Sequence, residues 1–190
     1  MVSARLVRHG QTYWNERGLI QGNIDVGLNE TGVAQARQLA GQFSGEVAYD
    51  MVTSPLRRAR QTAELLCEEI SVENYRVIPQ LRELDQGHWN GLPGERVRQR
   101  IDPAHYKNWE ERPFENPPPA GETLQAVERR VKQAVDYIAG WAENPTIVVG
   151  HKVIISMIAA ICGRWSRDEL FERLPENAGV FRVELTCQEE

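Results

Sequence analysis

Residues 146–162 read T-I-V-V-G-H-K-V-I-I-S-M-I-A-A-I-C, a short apolar run followed by a longer one. The β-branched run at 146–149 predicts a buried strand, and the apolar residues at 153–162 predict a buried helix. A polar connection, Gly-His-Lys at 150–152, separates the two. A strand that leads into a helix in this way is typical of a parallel sheet covered by helices.

The same alternation extends along the chain and predicts the fold class. An apolar run at residues 4–7 predicts a first strand, with His9 in the loop that follows. The further predicted elements are a helix that opens at Leu28 and ends at Gly45, a strand at 47–53, a helix started by Ser54 and Pro55, a strand at 76–79, a helix at 123–141 and a strand at 180–186. We therefore expect a three-layer α/β/α sandwich with a mostly parallel central sheet.

The segment from Gly87 to Gly121 differs from the rest in composition. It carries several glycines, a concentration of prolines and scattered aromatic residues. Such composition predicts irregular structure, which we interpret as an inserted flap with one short helix near 104–110. With this insert, the length of 190 residues fits one domain over 1–190.

Composition limits the classes of partner. The net charge of −5 argues against nucleic acid or an anionic membrane surface as the main partner, and the most apolar stretch is too interrupted to span a bilayer. A local cluster of arginines could still bind a small anionic substrate. The three widely spaced cysteines and an N-terminus without a signal-peptide pattern lead us to expect a cytoplasmic protein.

Four polar residues fall just past predicted strands or at predicted strand ends: His9, Ser54, Glu83 and His151. Since ligands bind at the carboxyl ends of strands in such sheets, we expect these side chains to share one rim. A histidine is a competent nucleophile, and a helix N-terminus with an arginine in its first turn binds anions. A glutamate beside a bound phosphate has a raised pKa and can act as an acid.

Each of these signals has a simpler explanation when it is taken alone. The tripeptide Arg-His-Gly at 8–10 fits a polar strand end, and the arginines at 57, 58 and 60 fit a solvated helix face. Glu83 fits an ordinary exposed glutamate, and His151 fits a half-buried, hydrogen-bonded histidine. No spacing typical of a metal site or of a nucleotide-binding glycine loop occurs, so we expect neither a metal nor a cofactor.

Six segments in sequence order bear on the choice between these explanations. They are L-V-R-H-G-Q-T-Y-W-N at 6–15, Q-G-N-I-D-V-G-L-N-E-T-G-V-A-Q-A at 21–36, T-S-P-L-R-R-A-R-Q-T at 53–62, L-R-E-L-D-Q-G-H-W-N-G at 81–91, A-G-E-T at 120–123 and V-V-G-H at 148–151. Together they resemble the histidine phosphatase superfamily, also called the phosphoglycerate mutase-like family. The resemblance covers most of the chain and implies that family's fold.

The resemblance also implies roles for individual residues. His9 is similar to the nucleophile that becomes a phosphohistidine, and Glu83 is similar to the proton donor. The phosphate-binding residues of the family match Arg8, Arg58 and His151. Near the phosphate and at the pocket mouth, the matching residues are Asn15, Gln21 and Gly22.

One position departs from the family pattern, because Lys152 follows His151 where glycine is usual. We expect Lys152 to be exposed at a helix start, although it could also add charge to the pocket. The compact segment 87–121 and its end P-P-P-A-G-E-T at 117–123, which is similar to the proline–glycine–glutamate signature of the phosphatase branch, favour that branch. The expected reaction is therefore metal-independent hydrolysis of a small phosphorylated metabolite. A phosphoglycerate mutase and a non-catalytic module that binds phosphorylated ligands are the alternatives. Neither the natural substrate nor the oligomeric state follows from the sequence.

Overall fold

A computed structural model describes residues 1–43, 48–166, 168–173 and 175–186. Within these ranges one sheet contains five strands, in the order β3-β2-β4-β1-β5. β1 and β4, β4 and β2, and β2 and β3 are parallel, whereas β5 runs antiparallel to β1. The strands are β1 (Val2–Arg8), β2 (Tyr49–Thr53), β3 (Val72–Val77), β4 (Thr146–Gly150) and β5 (Val180–Leu185).

Helices connect these strands, and short helical turns occupy several of the loops. The α-helices are α1 (Tyr13–Glu16), α2 (Glu30–Ala40), α3 (Arg57–Cys67), α4 (Gly94–Arg96), α5 (Pro103–Glu111), α6 (Leu124–Trp141) and α7 (Lys152–Ile161). Turns of 3₁₀ type lie at Pro79–Leu81, Gly87–Trp89 and Asp168–Leu170, and a π-helical turn at Val97–Ile101 continues α4. None of the helices in the described ranges is long and apolar enough to cross a membrane.

The alternation of side chains along the central strand β4 explains the three layers. Ile147 and Val149 point to one face of the sheet, where they join a buried cluster with α2 and α3. Val148 points to the other face and packs in a second cluster with α6 and α7. The predicted α/β sandwich with a mostly parallel sheet is confirmed.

The register of the two central strands determines where the site lies. Arg8 at the end of β1 pairs with Gly150 at the end of β4. The backbone N–H of His9 donates to the carbonyl of Gly150 over 3.0 Å. Because the strands are parallel, the backbone leaves the sheet at the same edge after β1 and after β4. The rings of His9 and His151, which follow these strands, lie side by side with centroids 5.3 Å apart.

The predicted start of α3 is wrong. The helix begins at Arg57 with Leu56 as its N-cap residue, so neither Ser54 nor Pro55 opens it. The Ser54 hydroxyl instead lies 2.6 Å from Nε2 of His151, and its contact with the helix is limited to the N–H of Leu56 at 3.3 Å. The histidine therefore takes the place of the expected cap interaction.

The third strand and its relation to Glu83 also differ from the prediction. β3 covers Val72–Val77 rather than 76–79, because this strand lies at the sheet edge and lacks a clear apolar alternation. Glu83 is therefore not at a strand end, since Ile78 and the 3₁₀ turn Pro79–Leu81 separate it from β3.

Other boundaries shift by small amounts. α2 begins at Glu30, within the predicted opening at 28–32, and the side chain of its N-cap residue Asn29 accepts from the N–H of Gly32. α2 ends at Ala40, and the predicted stop at Gly45 and the predicted start of β2 at residue 47 lie outside the described residues. In the segment 87–121 the expected short helix is α5, but α4 and the π-helical turn are additional.

Candidate active site

The two ring nitrogens of His9 have partners that fix its tautomer. Nδ1 lies 2.7 Å from the carbonyl oxygen of Gly10, and Nε2 lies 3.2 Å from Nε of Arg58. A carbonyl can only accept and a guanidinium can only donate, so Nδ1 carries the proton and Nε2 presents its lone pair. Burial, followed by the charges of Arg58 and Arg8, lowers the pKa of His9 well below its usual range. His9 is therefore neutral at neutral pH, with Nε2 as its nucleophilic atom.

Arg58 is buried and held by the loop after α1. Its Nη1 donates to the carbonyl of Ile24 and its Nη2 to the carbonyl of Gly22, each over 2.8 Å. Burial lowers the pKa of Arg58 to about 10, and Glu83 and Asp25 oppose this shift. These anchors use one hydrogen of each terminal nitrogen, which leaves one N–H of each for a further acceptor.

Two buried donors of the site have no hydrogen-bond partner within the part of the chain that the structure describes. They are Nε of Arg8 and Nδ1 of His151. Nη1 of Arg8 is anchored by the carbonyl of Pro175 at 2.7 Å, so the guanidinium is held in place. Buried polar groups are normally satisfied, and two unsatisfied ones beside His9 indicate a place where an anion would bind.

The Ser54 hydroxyl is the hydrogen-bond partner of Nε2 of His151 and so bears on which ring nitrogen carries the proton. Ser54 Oγ accepts from the N–H of Leu56, so its own hydrogen is free to be donated to Nε2 of His151 at 2.6 Å. In that arrangement Nδ1 holds the proton and can donate to an anion. Burial, then the charges of Arg58, Arg8 and Arg130, lowers the pKa of His151 well below its usual value.

Glu83 lies against the N-terminus of α7. Its Oε1 accepts from the N–H of Leu84 over 2.9 Å, and its Oε2 lies 3.4 Å from the N–H of Val153. Burial raises the pKa of Glu83, although these two N–H groups and the charges of Arg58 and Arg8 work in the opposite direction. The carboxyl group is therefore biased toward its protonated form, as an acid catalyst requires.

Three further predicted residues lie beside the nucleophile, one in α1 and two in the loop that follows it. Asn15 Oδ1 accepts from the N–H of Thr12 over 3.1 Å, and Gln21 Oε1 lies 3.1 Å from Thr12 Oγ1. Gly22 has a φ of 45°, and a Cβ there would lie 2.1 Å from Oδ1 of Asn90, so a side chain is excluded on two grounds. Its carbonyl is the acceptor for Arg58, which ties the loop to the phosphate-binding arginine predicted from the sequence.

Sequence reasoning gave no role to two residues that support the nucleophile loop. The side-chain amide of Asn177 donates to the carbonyl of His9 over 3.1 Å and lies 3.4 Å from Oδ1 of Asn15. Thr62 on α3 accepts from the N–H of Gly10 over 3.0 Å. The only sequence signal for Thr62 was its place in a quoted motif, and Asn177 lies in no motif because the contact joins residues 168 positions apart.

A cleft of about 470 Å³ is lined in part by Val153, whose N–H lies 3.4 Å from Oε2 of Glu83. Its aromatic walls are Tyr106, Trp109 and Phe171, and its polar lining includes Lys152 together with Gln86, Glu110 and Glu172. Lys152 is exposed as the first residue of α7, as expected, and it also borders the site. The pKa of Lys152 is lowered, first by desolvation and then by the charge of Arg8, and Glu176 and Glu83 oppose this shift.

The structure thus brings together His9, Arg8, Arg58, His151 and Glu83, with Asn15 in α1 and Gln21 and Gly22 in the loop that follows it. No group of three or more His, Cys, Asp or Glu side chains with the arrangement of a metal site occurs among the described residues. The chemistry that this arrangement can supply is a neutral imidazole nucleophile, cationic and N–H donors for an anion, and an acid for a leaving group.

Comparison with known proteins identifies the family. The sequence profile of the histidine phosphatase superfamily (branch 1) matches residues 5–189. The chain belongs to the histidine phosphatase superfamily. The prediction of this family and of an enzyme of the histidine phosphatase class is confirmed.

Individual histidine phosphatases and mutases match over most of the chain. Phosphoserine phosphatase 1 of Hydrogenobacter thermophilus is 35% identical over 167 residues, which cover 86% of this chain and 77% of the relative. A 2,3-bisphosphoglycerate-dependent phosphoglycerate mutase of Methylobacterium radiotolerans is 35% identical over 159 residues, or 80% of this chain and 71% of the mutase. The structure of a mycobacterial glucosyl-3-phosphoglycerate phosphatase in complex with VO3 superposes with a TM-score of 0.85 at 26% identity, covering 97% of this chain and 93% of that one.

Proposed function

We propose that this member of the superfamily hydrolyses small phosphomonoesters through a phosphohistidine at Nε2 of His9. The observation that carries the proposal is a neutral His9 beside two buried donors, Nε of Arg8 and Nδ1 of His151, that have no hydrogen-bond partner among the described residues. These groups supply a nucleophilic lone pair and hydrogen-bond donors in one site. A phosphoryl group needs both for transfer, since charge accumulates on its oxygens.

In the first proposed step the Nε2 lone pair of His9 attacks phosphorus and the bond from phosphorus to the leaving oxygen breaks. Glu83 gives its proton to that oxygen, so the leaving group departs as a neutral alcohol. Arg58 donates to Nε2 in the structure, and its N–H must turn to a phosphoryl oxygen before the attack. The phosphorylated imidazole keeps its proton on Nδ1, where the carbonyl of Gly10 stabilises the positive charge of the ring.

In the second step water attacks phosphorus and the bond from phosphorus to Nε2 breaks. The carboxylate of Glu83 accepts a proton from the water, and this proton transfer restores the acid for the next cycle. His9 returns to its neutral form and phosphate leaves. The charges balance over the two steps without a metal ion or an organic cofactor.

We propose that the leaving group binds in this cleft, because Val153, whose N–H lies 3.4 Å from Oε2 of the proton donor Glu83, lines it. Lys152 is the lysine in the cleft lining and would bind a carboxylate or another single anionic group on the leaving alcohol. Glu110 and Glu172 line the same cleft and would repel a second phosphate. The substrates that fit this cleft are small phosphomonoesters with at most one further negative charge. We propose that the segment 87–121 covers the bound substrate as a flap and that it is part of a single domain over residues 1–190.

Phosphoserine carries one carboxylate and belongs to this class, and a phosphoserine phosphatase is among the relatives at 35% identity. A 2,3-bisphosphoglycerate-dependent mutase would have to hold a second phosphate, for which the two glutamates of the cleft are unsuited. A module that only binds phosphorylated ligands would need neither the nucleophile His9 nor the acid Glu83. A cytoplasmic location would suit a metabolite substrate and agrees with the free thiols of Cys67 and Cys162.

Hydrolysis of an aryl phosphate in excess chelator tests this proposal. We expect phosphate release to persist with chelator present and to disappear in His9→Ala. The exposed His88 is the matched control, and His88→Ala should retain the activity. Full activity of His9→Ala would refute the assignment of the nucleophile.

A further inference from the structure

Arg130 on α6 is a buried arginine that lies behind the site rather than in it. Only 8% of its surface is exposed, and its hydrogen bonds involve two groups of acceptors. Nε and Nη2 bind the two carboxylate oxygens of Glu122, each over 2.8 Å. The pair is bidentate, a geometry that only the planar guanidinium can provide.

The second group of acceptors consists of backbone carbonyls immediately before and at the acid. Nη1 of Arg130 donates to the carbonyls of Gln80 at 2.5 Å and Arg82 at 2.7 Å, and Nη2 donates to the carbonyl of Glu83 at 3.3 Å. With the two bonds to Glu122, all five N–H donors of the guanidinium are used. Arg130 contacts the main chain of Glu83 and has no hydrogen bond to its carboxyl group, which Leu84 and Val153 contact.

The segment that contains Glu122 is itself fixed to the loop that follows Glu83. The N–H of Glu122 donates to the carbonyl of Asp85 over 2.9 Å. A Cβ at Gly121 would lie 2.6 Å from that same carbonyl oxygen, and a Cβ at Gly87 would lie 2.2 Å from the carbonyl oxygen of Pro119. Both glycines are therefore required for the close approach of the two segments, and Thr123 then caps α6.

We propose that Arg130 and Glu122 are positioning residues that hold the main chain of Glu83 where its carboxyl group can protonate the leaving group. This inference rests on the proposed function and adds a physical role for the A-G-E-T signature at 120–123. The position of Glu83 needs such support because a 3₁₀ turn and a loop, rather than a strand end, carry it. A displacement of a catalytic group by about 1 Å can reduce the rate by about 100-fold.

The experiment compares Arg130→Lys and Glu122→Gln with wild type on two substrates. Glycerol 1-phosphate has a poor alkoxide leaving group and needs the acid, whereas p-nitrophenyl phosphate has a good leaving group and needs it little. We expect kcat/KM for glycerol 1-phosphate to fall by about tenfold or more beyond the loss with p-nitrophenyl phosphate. The exposed neighbour Arg129 supplies the control, and Arg129→Lys should leave the ratio of the two values unchanged.

The same substitutions in a Glu83→Gln background separate positioning from general destabilisation. If Arg130 and Glu122 act through Glu83, they should not change the substrate ratio further once the acid is absent. Equal losses on both substrates, or a ratio that changes as much without the acid as with it, would overturn the proposal. Glu122→Gln is nearly isosteric and keeps one oxygen acceptor, so it provides the test if Arg130→Lys does not fold.

Failure of this proposal can be distinguished from failure of the proposed function. If the wild-type protein releases no phosphate from either ester, or does so without His9, the proposed function fails. If the wild-type activity depends on His9 and the substrate ratio is insensitive to Arg130 and Glu122, only the positioning role fails.

Discussion

Arg58 donates from Nε to Nε2 of His9 over 3.2 Å, while Nδ1 of the same ring lies 2.7 Å from the carbonyl of Gly10. Both partners require the same tautomer, with the proton on Nδ1. The arginine thus holds the nucleophilic lone pair in the structure, and we expect it to release that lone pair when phosphoryl oxygens arrive to accept its hydrogen bonds. Histidine orientation and substrate binding are coupled through one guanidinium.

The account predicts how Glu83→Gln changes the pH dependence of the reaction. Burial raises the pKa of Glu83, so wild-type kcat/KM for an alkyl phosphate should decline as pH rises above that pKa, because the acid loses its proton. Glutamine has no proton to lose, so this alkaline limb should disappear and kcat/KM should fall by about 100-fold or more. Steady-state kinetics across pH measure both effects. An alkaline limb that persists unchanged in Glu83→Gln would assign it to another group.

Ser54 is predicted to act through the tautomer of His151. Its hydroxyl is fully buried, and without it Nε2 of His151 is free to hold the ring proton, so Nδ1 no longer donates reliably to the phosphoryl group. We expect Ser54→Ala to lower kcat by about tenfold to 100-fold with a smaller change in melting temperature. Ser54→Thr, which retains the hydroxyl, should recover most of the loss. Equal defects in both variants would indicate a packing role alone.

The two buried histidines predict a loss of stability in mild acid. Burial lowers the pKa of both His9 and His151. Below about pH 6.5 these two imidazoles therefore bind protons in the unfolded chain while they stay unprotonated in the folded chain. The contribution of the two neutral histidines to the free energy of unfolding is therefore present above that pH and is lost as the pH falls. Each should change the free energy of unfolding by up to about 1.4 kcal/mol per pH unit.

Denaturant unfolding of wild type and His151→Gln between pH 5 and 7 measures this effect, with pH values chosen to bracket about 6.5. The slope should be shallower in His151→Gln and unchanged in His88→Gln, since His88 is exposed. Glu83 acts in the opposite direction, because its raised pKa gives stability that is lost as the pH rises. Comparison of variants at the same pH values removes that contribution. Parallel slopes for all three proteins would contradict the buried, neutral state of His151.

Lys152 is predicted to select the leaving group rather than to drive the chemistry. Lys152→Met should raise KM about tenfold for a phosphomonoester that carries a carboxylate, such as phosphoserine, because the ion pair is lost. The same change should alter kcat/KM for p-nitrophenyl phosphate by less than about threefold. Lys132 on α6 does not line the cleft, and Lys132→Met is the control. Equal effects on the two substrates would place Lys152 in the phosphate pocket itself.

Much of the fold was predictable because hydrophobic patterns report burial directly. The central strand β4 is buried along its length and the helix α7 from Val153 to Ala159, and their boundaries agree with the apolar runs to within one residue. The edge strand β3 was misplaced because its side chains are mostly exposed and carry no such pattern. The turn at Val97–Ile101 was missed because local sequence does not encode a π-helical turn.

The proximity of His9 and His151 followed from parallel strands, since both strand ends lie at one edge of the sheet. Glu83, in contrast, follows a 3₁₀ turn, and a hydrogen bond from Arg130 to its carbonyl holds its main chain. No hydrophobic periodicity predicts either feature. Serine followed by proline is typical of a helix start, so the sequence predicts Ser54 as the N-cap of α3. In the structure the Ser54 hydroxyl contacts His151 instead, and Leu56 is the N-cap residue. Contacts of this kind join distant residues, and only the folded chain reveals them.

The most direct test of the central claim is rapid quenching of the enzyme with a ³²P-labelled phosphomonoester, followed by peptide mapping. The account predicts acid-labile, alkali-stable label on the peptide that contains His9, formed before phosphate release and absent in His9→Ala. It also predicts that the label accumulates when Glu83→Gln slows the attack of water. Label on another residue, or turnover of substrate with no label at any quench time, would contradict a phosphohistidine at His9.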